Sequence, residues 1–295
     1  MDNRNRSIEY SDPRLLKWAR NCPFVQSRPS WKKRVRRLQN VLLHRHARPA
    51  IAAIKSVFPA ARWSVFFAFC PNGQLSISQR FSLERLRDIG VPLLVVAGTR
   101  EPSILPLELL DLGDALYWKA IPGYDFSAYT IALEAIAAKS EGATIFFMND
   151  SVFGPFHDIR QDAFMSPWEF TGWTACGKIQ NHLQSYAFSI RTVNADRLDA
   201  LRTVFFRRFV FNRAEAVIAC QETRLASVAV KSMTAGSLWY PLEREVDATV
   251  ALPFELLNDG FPFLKKSLLG KYRHFQDCNQ VRECLLRHHH PDVAQ

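Results

Sequence analysis

The chain has 295 residues, 48% of them hydrophobic and 22% charged, the balance of a globular chain with room for one large α/β core or two small ones. No run reaches the roughly 18 unbroken apolar residues that a spanning helix needs. Met1-Asp2-Asn3-Arg4-Asn5-Arg6 is followed by no apolar core, so no secretory leader is expected. The net charge of +10 is uneven. Residues 1–83 carry sixteen Lys and Arg against three acids, and no Asp or Glu falls between Pro13 and Leu83. That asymmetry calls for an anionic partner, either nucleic acid or the anionic inner face of a membrane. Cys22, Cys70, Cys176, Cys220, Cys278 and Cys284 are scattered, without CxxC or metal-ligand spacing. They predict reduced thiols of a cytoplasmic protein.

Residues 1–30, with Pro13, Pro23 and Pro29, read as a loose arm. Residues 30–58 have helical spacing interrupted at Pro49. Trp31, Val35, Leu38, Leu42 and Leu43 recur every three or four residues, and Lys32, Lys33, Arg34, Arg36, Arg37, Arg45 and Arg48 fill the gaps. Two readings stand side by side. A basic amphipathic helix can lie on an anionic bilayer with Trp31 at the interface, which makes the protein peripheral on the inner face of the inner membrane. Alternatively, the apolar stripe packs on the domain and the basic face meets water. No nucleic-acid partner is expected, because no aromatics interleave with glycines as a base-stacking platform would.

Residues 62–70 predict the first strong strand and Pro71-Asn72-Gly73 a turn. A helix over 78–88 is closed by Gly90, and a buried strand follows at 91–97. A helix over 105–112, a strand over 114–119 and an alanine-rich helix ending at Lys139 come next. Then Thr144-Ile145-Phe146-Phe147-Met148-Asn149-Asp150-Ser151 reads as an apolar strand running into an acidic turn. Such alternation predicts a parallel sheet with right-handed crossovers. It gathers 70–73, 98–100, 123–126 and 149–151 on one edge, where open α/β sheets bind ligands. No Gly-x-Gly-x-x-Gly and no Gly-Lys-Ser/Thr loop is present, so neither a dinucleotide site nor a P-loop is predicted.

Residues 156–176 read as aromatic and irregular. Asn181 to Arg191 begins polar and becomes strand-like. Helical spacing covers 196–208 and 213–235, the second capped by Gly236, with a short helix over 252–260 and a last one from residue 271. His288-His289-His290 is not read as a metal cluster, since adjacent residues of a helix do not share a face.

Several of these pieces, in order, carry a resemblance: Gly123-Tyr124-Asp125-Phe126, Asn149-Asp150-Ser151 with Gly154-Pro155, Gly172-Trp173-Thr174, and His182-Leu183-Gln184-Ser185-Tyr186. The helix holding Glu222 and Gly260-Phe261-Pro262-Phe263-Leu264-Lys265 complete the series. Over residues 62–270 the chain resembles bacterial rhamnan synthesis F proteins, glycosyltransferases of cell-surface polysaccharide assembly. Ser127 departs from the pattern, standing where a glycine is expected.

The α/β alternation and the resemblance agree on an α/β fold of glycosyltransferase A-type, a Rossmann-like mixed sheet flanked by helices, to which the N-terminal residues, outside the resemblance, add a basic helical N-terminal extension. Residues 1–60 form the extension, 61–272 the transferase domain, and 273–295 a C-terminal helix and tail. The transferase domain divides into a nucleotide-sugar half (61–155) and an acceptor half (156–272). The resemblance also implies a nucleotide-sugar donor of rhamnose or another deoxysugar and a glycan or lipid-linked glycan acceptor, as in O-antigen assembly. A rival of another class is a non-catalytic sugar- or partner-binding subunit of a membrane-associated assembly complex.

In that fold Asp150 is the expected ligand of Mg²⁺ or Mn²⁺ against the donor diphosphate, with Asn149 and Ser151 around the cation or on the ribose. The bland alternative for Asn149 and Asp150 is an Asx-turn. Gly123 lets the backbone approach the nucleotide, beside Tyr124. Asp125 accepts from a base or ribose hydroxyl, or is a first-turn acid favoured by the helix dipole. Glu222 is the expected base for the acceptor hydroxyl, or a solvated acid paired with a cation. His182 is the alternative base, in a polar cluster with Gln184 and Ser185. Lys265 and Lys266 can stand in for a metal.

Overall fold

The computed structural model describes residues 18–177, 179–242 and 246–291; of the loose arm expected over residues 1–30, residues 1–17 lie outside them and residues 18–23 form a strand instead. The chain enters as strand β1 (Trp18–Pro23), helix α1 (Trp31–Leu43) and strands β2 (Arg45–Ala47) and β3 (Ile51–Lys55). The α/β alternation then runs β4 (Arg62–Phe69), α2 (Ile77–Asp88), β5 (Leu93–Thr99), α3 (Leu109–Leu112), β6 (Ala115–Ala120), α4 (Tyr124–Lys139) and β7 (Ala143–Asn149). Beyond it come β8 (Val152–Phe153), α5 (Arg160–Phe164), β9 (Phe170–Cys176), β10 (His182–Leu183), β11 (Ala187–Val193), α6 (Ala195–Leu201) and β12 (Phe209–Phe211). Helix α7 (Ala214–Val217) continues through a π-helical segment (Ile218–Glu222) into α8 (Thr223–Ala229). Strand β13 (Ala235–Pro241), helices α9 (Ala248–Ala251) and α10 (Pro253–Asn258), strand β14 (Leu264–Lys265) and helix α11 (Cys278–Arg287) complete the fold.

One large sheet has the order β1-β13-β9-β11-β7-β4-β5-β6-β3, with β10 paired to β9 off that path. Strands β7, β4, β5 and β6 are parallel neighbours, as the alternation predicts. β11 enters antiparallel between β7 and β9, and β13 runs parallel to β9. The result is a mixed α/β sheet flanked by helices, as the sequence predicts. The two predicted halves share it.

Two-residue periodicity makes this sheet the middle layer of three. Trp63, Val65 and Phe67 of β4 and Ile145 and Phe147 of β7 point to one face, where Tyr129, Leu133 and Ile136 of α4 and Leu225 of α8 cover them. Phe66, Ala68, Phe146 and Met148 point to the other, under Leu83 and Leu86 of α2 and Phe164 of α5. Phe147 stacks on Phe188 of β11 at 4.8 Å and meets Tyr129 edge-on at 5.4 Å, which welds the antiparallel strand to the parallel core. A smaller cluster joins Phe153, Leu264, Val281 and Leu285 around α11.

Three further expectations are corrected. Residues 30–58 are not one helix: α1 ends at Leu43, and 45–47 and 51–55 are strands. β3 pairs with the open edge of β6, whose ladder groups need a partner more than the Pro-interrupted helical spacing needs a continuation. Residues 170–176 are a strand buried along its whole length, not irregular. The helix expected over 213–235 ends at Ala229, and Gly236 lies inside β13 instead of capping it. A Cβ on Gly236 would come within 2.3 Å of the Trp168 ring, so packing demands that glycine. No helix among the described residues is long and apolar enough to cross a membrane.

Candidate active site

The C-terminal ends of the parallel strands open into a cleft with two adjoining lobes. The first, 610 Å³, is lined by Phe67 and Phe69 of β4, Ile121, Tyr124, Asp125, Asn149, Asp150, Ser151 and Asn212. The second, 440 Å³, is lined by Ser185, Tyr186, Ala214, Val217, Ile218, Glu222, Lys265, Lys266 and Ser267. Tyr124, Asp125, Asn149 and Ser151 line both.

The shared wall is built where β6 turns into α4. Gly123 has φ 103°, which glycine adopts freely, and Tyr124 φ 51°, a strained left-handed conformation that accompanies a ring 44% exposed in the cleft. A Cβ on Gly123 would meet the Ser127 side chain at 2.7 Å and Val210 Cβ at 2.9 Å. Close packing within the protein therefore requires glycine here, whether or not a nucleotide approaches. Asp125 accepts from Asn149 Nδ2 at 2.8 Å and, on its other oxygen, from the Phe126 N–H at 3.0 Å. Burial, then the nearby negative charge of Glu222, push its carboxyl up to about 7. Asn149 in turn accepts from the Ser151 N–H at 3.0 Å and its Oγ at 2.5 Å. Asn149 thus makes the Asx-turn and also orients Asp125.

Asp150 closes the floor of the first lobe. Its Oδ2 accepts from the Phe69 N–H at 3.0 Å and from Gln79 Nε2 at 2.6 Å. Burial pushes this carboxyl up, while the Phe69 N–H, the positive charge of Lys266 and the Gln79 amide pull it back. Both bonds fall on Oδ2, so a cation would be held through Oδ1 alone, and each Asp125 oxygen already accepts one hydrogen bond. Among the described residues no group of three His, Cys, Asp or Glu could hold a metal ion. This donor set does not fit a resident divalent cation.

Two lysines, Lys265 and Lys266, line the second lobe. Lys265 Nζ pairs with Asp247 Oδ2 at 2.9 Å and lies over the Tyr186 ring. Burial opposes both charges, but each holds the other in its charged form: Lys265 is raised and Asp247 lowered. Lys266 sits over Phe153 at 5.5 Å and acts on Asp150. Gln184 lines neither lobe. It bridges Thr174 Oγ1 at 2.6 Å to Asp247 at 3.1 Å and so positions Lys265 from behind. Glu222, at the end of the π-helical segment, accepts from the Ser185 N–H at 3.4 Å and Oγ at 3.2 Å. π-Segments of this kind recur at functional sites because they displace one side chain from the helical register.

His182 is not brought to the cleft. It is buried in β10, with Nδ1 2.7 Å from the Gln180 carbonyl. Four contributors escaped sequence reasoning: Gln79, Lys119, Asn212 and Asp247. Lys119 is fully buried beneath the first lobe, over Phe67 and donating to the Ile121 carbonyl. Burial pushes its ammonium down to about 8, against the pull of Asp125. Asn212 accepts from the Gly123 N–H at 3.0 Å. Only Gln79 left a signal, the Ser76-x-x-Gln79 capping box of α2.

No family model matches the chain, so the resemblance to rhamnan synthesis F proteins rests on its motifs. The chain is 27% identical over 185 residues to Virulence protein VirA of Vibrio anguillarum. That similarity covers 50% of this chain and 59% of the relative, so the chain spans less than two thirds of the curated relatives it matches. Among solved structures, a protein of Desulfovibrio desulfuricans G20, provisionally described as a nucleotide-diphospho-sugar transferase, covers 77% of this chain and 97% of its own at 12% identity, with a TM-score of 0.36. A likeness that distant says nothing of activity.

Proposed function

We propose that the protein is a glycosyltransferase. It moves a sugar, rhamnose or another deoxysugar, from a nucleoside diphosphate to a glycan or lipid-linked glycan acceptor of a cell-surface polysaccharide. The observation that carries this reading is the pair of lobes meeting at one acidic wall on the C-terminal edge of the parallel strands. Sugar transfer needs two compartments and a reaction point where they join, and this edge is the ligand-binding edge of open α/β sheets. A first lobe of 610 Å³ suits a nucleotide sugar. The sugar and the polysaccharide follow the motif resemblance.

The first lobe takes the nucleotide, with Phe69 and Tyr124 offering exposed rings to the base and a further lone pair of Asp125 accepting a ribose hydroxyl. Lys265 and Lys266 face the diphosphate and offset the charge that grows on it as the bond to the sugar breaks. Glu222 takes the acceptor hydroxyl proton while that oxygen bonds the anomeric carbon, and the electron pair of the breaking carbon–oxygen bond leaves with the nucleoside diphosphate. The Ser185 N–H and hydroxyl hold the Glu222 carboxylate for this step. Glu222→Gln keeps the shape and removes the base. It should lower kcat by about 10²–10⁴-fold and leave donor affinity within about threefold. Turnover of a nucleotide-sugar panel by wild type and variant measures both. An unchanged kcat in the variant removes Glu222 from the chemistry, and no turnover of any donor by the wild type overturns the transferase reading.

A further inference from the structure

Helix α1 is seated with its polar side inward. Arg37 donates from Nε to the Ala219 carbonyl at 2.8 Å and from Nη2 to Gln180 Oε1 at 2.7 Å. Lys33 reaches the Ile179 carbonyl, and Asn40 is buried. The opposite side carries Trp31, Val35, Leu38 and Leu42, which fall within about 60° of one another at 3.6 residues per turn. A helix on a globular domain ordinarily buries such a stripe. Here Trp31 is 70% exposed, Leu38 and Leu42 60% each, and Leu43 beside them 72%. The reading in which this stripe packs on the domain is therefore excluded by the way Arg37 and Lys33 anchor the helix.

The stripe is bordered by Lys32 and Arg36 on one side and by Arg34 on the other. Arg36 and Arg213 share one neighbouring groove, and Arg45 and Arg208 line a second of 960 Å³. Among the described residues none of these six cations is ion-paired with a carboxylate. An apolar strip with tryptophan at one end and cations on both flanks complements one surface in particular, acyl chains beneath anionic headgroups. Nucleic acid would engage the cations but leave the strip in water. A second copy would set like charges face to face.

We propose that α1 docks the protein on an anionic bilayer, with Trp31, Leu38 and Leu42 entering the headgroup boundary and the flanking Lys and Arg pairing with lipid phosphates. The docking stands independently of the transferase reading. If that reading also holds, the two connect through one helix. Arg37 anchors α1 to Ala219, and Val217 and Ile218 of the same helical segment line the second lobe. Docking then brings the acceptor lobe to the membrane, where a lipid-linked glycan would be met.

The test is co-sedimentation of the full chain with phosphatidylcholine vesicles, with and without phosphatidylglycerol, and without any nucleotide sugar. The wild type should partition at least about tenfold more strongly onto the anionic vesicles, and less as salt rises. Leu38→Glu with Leu42→Glu should remove about tenfold or more of that partition at unchanged Tm, both positions being exposed. The tryptophan emission should shift to the blue on binding, and Trp31→Phe should abolish the shift. Equal partition of wild type and double variant overturns the proposal. So does a stripe that instead governs self-association in sedimentation equilibrium or binding to double-stranded DNA. Vesicle binding without turnover of any donor would uphold the docking and count only against the transferase.

Discussion

Asp125 joins the two lobes, and its environment moves its titration toward neutral pH. In the unfolded chain it ionises near 3.8, and in the fold near 7, because burial and then Glu222 disfavour its charge. Between those values the folded state keeps a proton that the unfolded state has released, so this residue costs stability as pH rises from about 4 to about 7. Asp125→Asn should flatten the fall of Tm across that window and gain on the wild type most at pH 8; parallel melting curves would contradict it. The cleft residues Tyr124, Asp125, Asn149, Asp150, Ser151, Glu222 and Lys265 were legible because each follows a strand end or a motif. Asp247 and Lys119 were not, since their importance arises from partners brought near by folding. His182 looked reactive in the sequence and is a buried strand residue, because the β9–β10 pairing takes its ring inward.

Helix α2 shows how one element can serve both fold and site. Ser76 Oγ accepts from the Gln79 N–H at 3.1 Å and the Gln79 side chain accepts from the Ser76 N–H at 2.8 Å, closing its N-terminus. The same Gln79 amide donates to Asp150 at 2.6 Å and to the Phe69 carbonyl at 2.9 Å. Gln79→Ala therefore loses a cap and leaves a buried carboxylate short of a donor. It should cost about 2–3 kcal/mol, against about 1 kcal/mol for Ser76→Ala, by denaturant melts. Equal costs would mean that Gln79 acts as a cap alone. The parallel strands were readable as elements because both of their faces are apolar. β9 and β13 hid because their partners are distant: residue 170 pairs with residues 190 and 235, and local spacing carries no trace of such pairing.

At the scale of the whole molecule, the N-terminal segment is a clasp more than an appendage. β1 covers the β13 edge and β3 the β6 edge, so residues 18–55 reach both ends of the sheet, with α1 between them facing outward. Removing residues 1–55 exposes two ladders of unpaired backbone groups. The truncated chain should aggregate or melt at least about 10 °C lower, whereas an independent extension would leave Tm unchanged.

The measurement that tests the central claim most directly is calorimetric binding of a nucleotide panel, dTDP-rhamnose included, with and without Mn²⁺. The wild type, Asp125→Ala and Lys266→Ala would be compared. The account predicts that one nucleotide binds saturably without requiring Mn²⁺, and that each substitution weakens it by about tenfold or more, a loss of about 1.4 kcal/mol. Absence of binding by any nucleotide, or binding indifferent to both substitutions, would contradict a nucleotide site in this cleft.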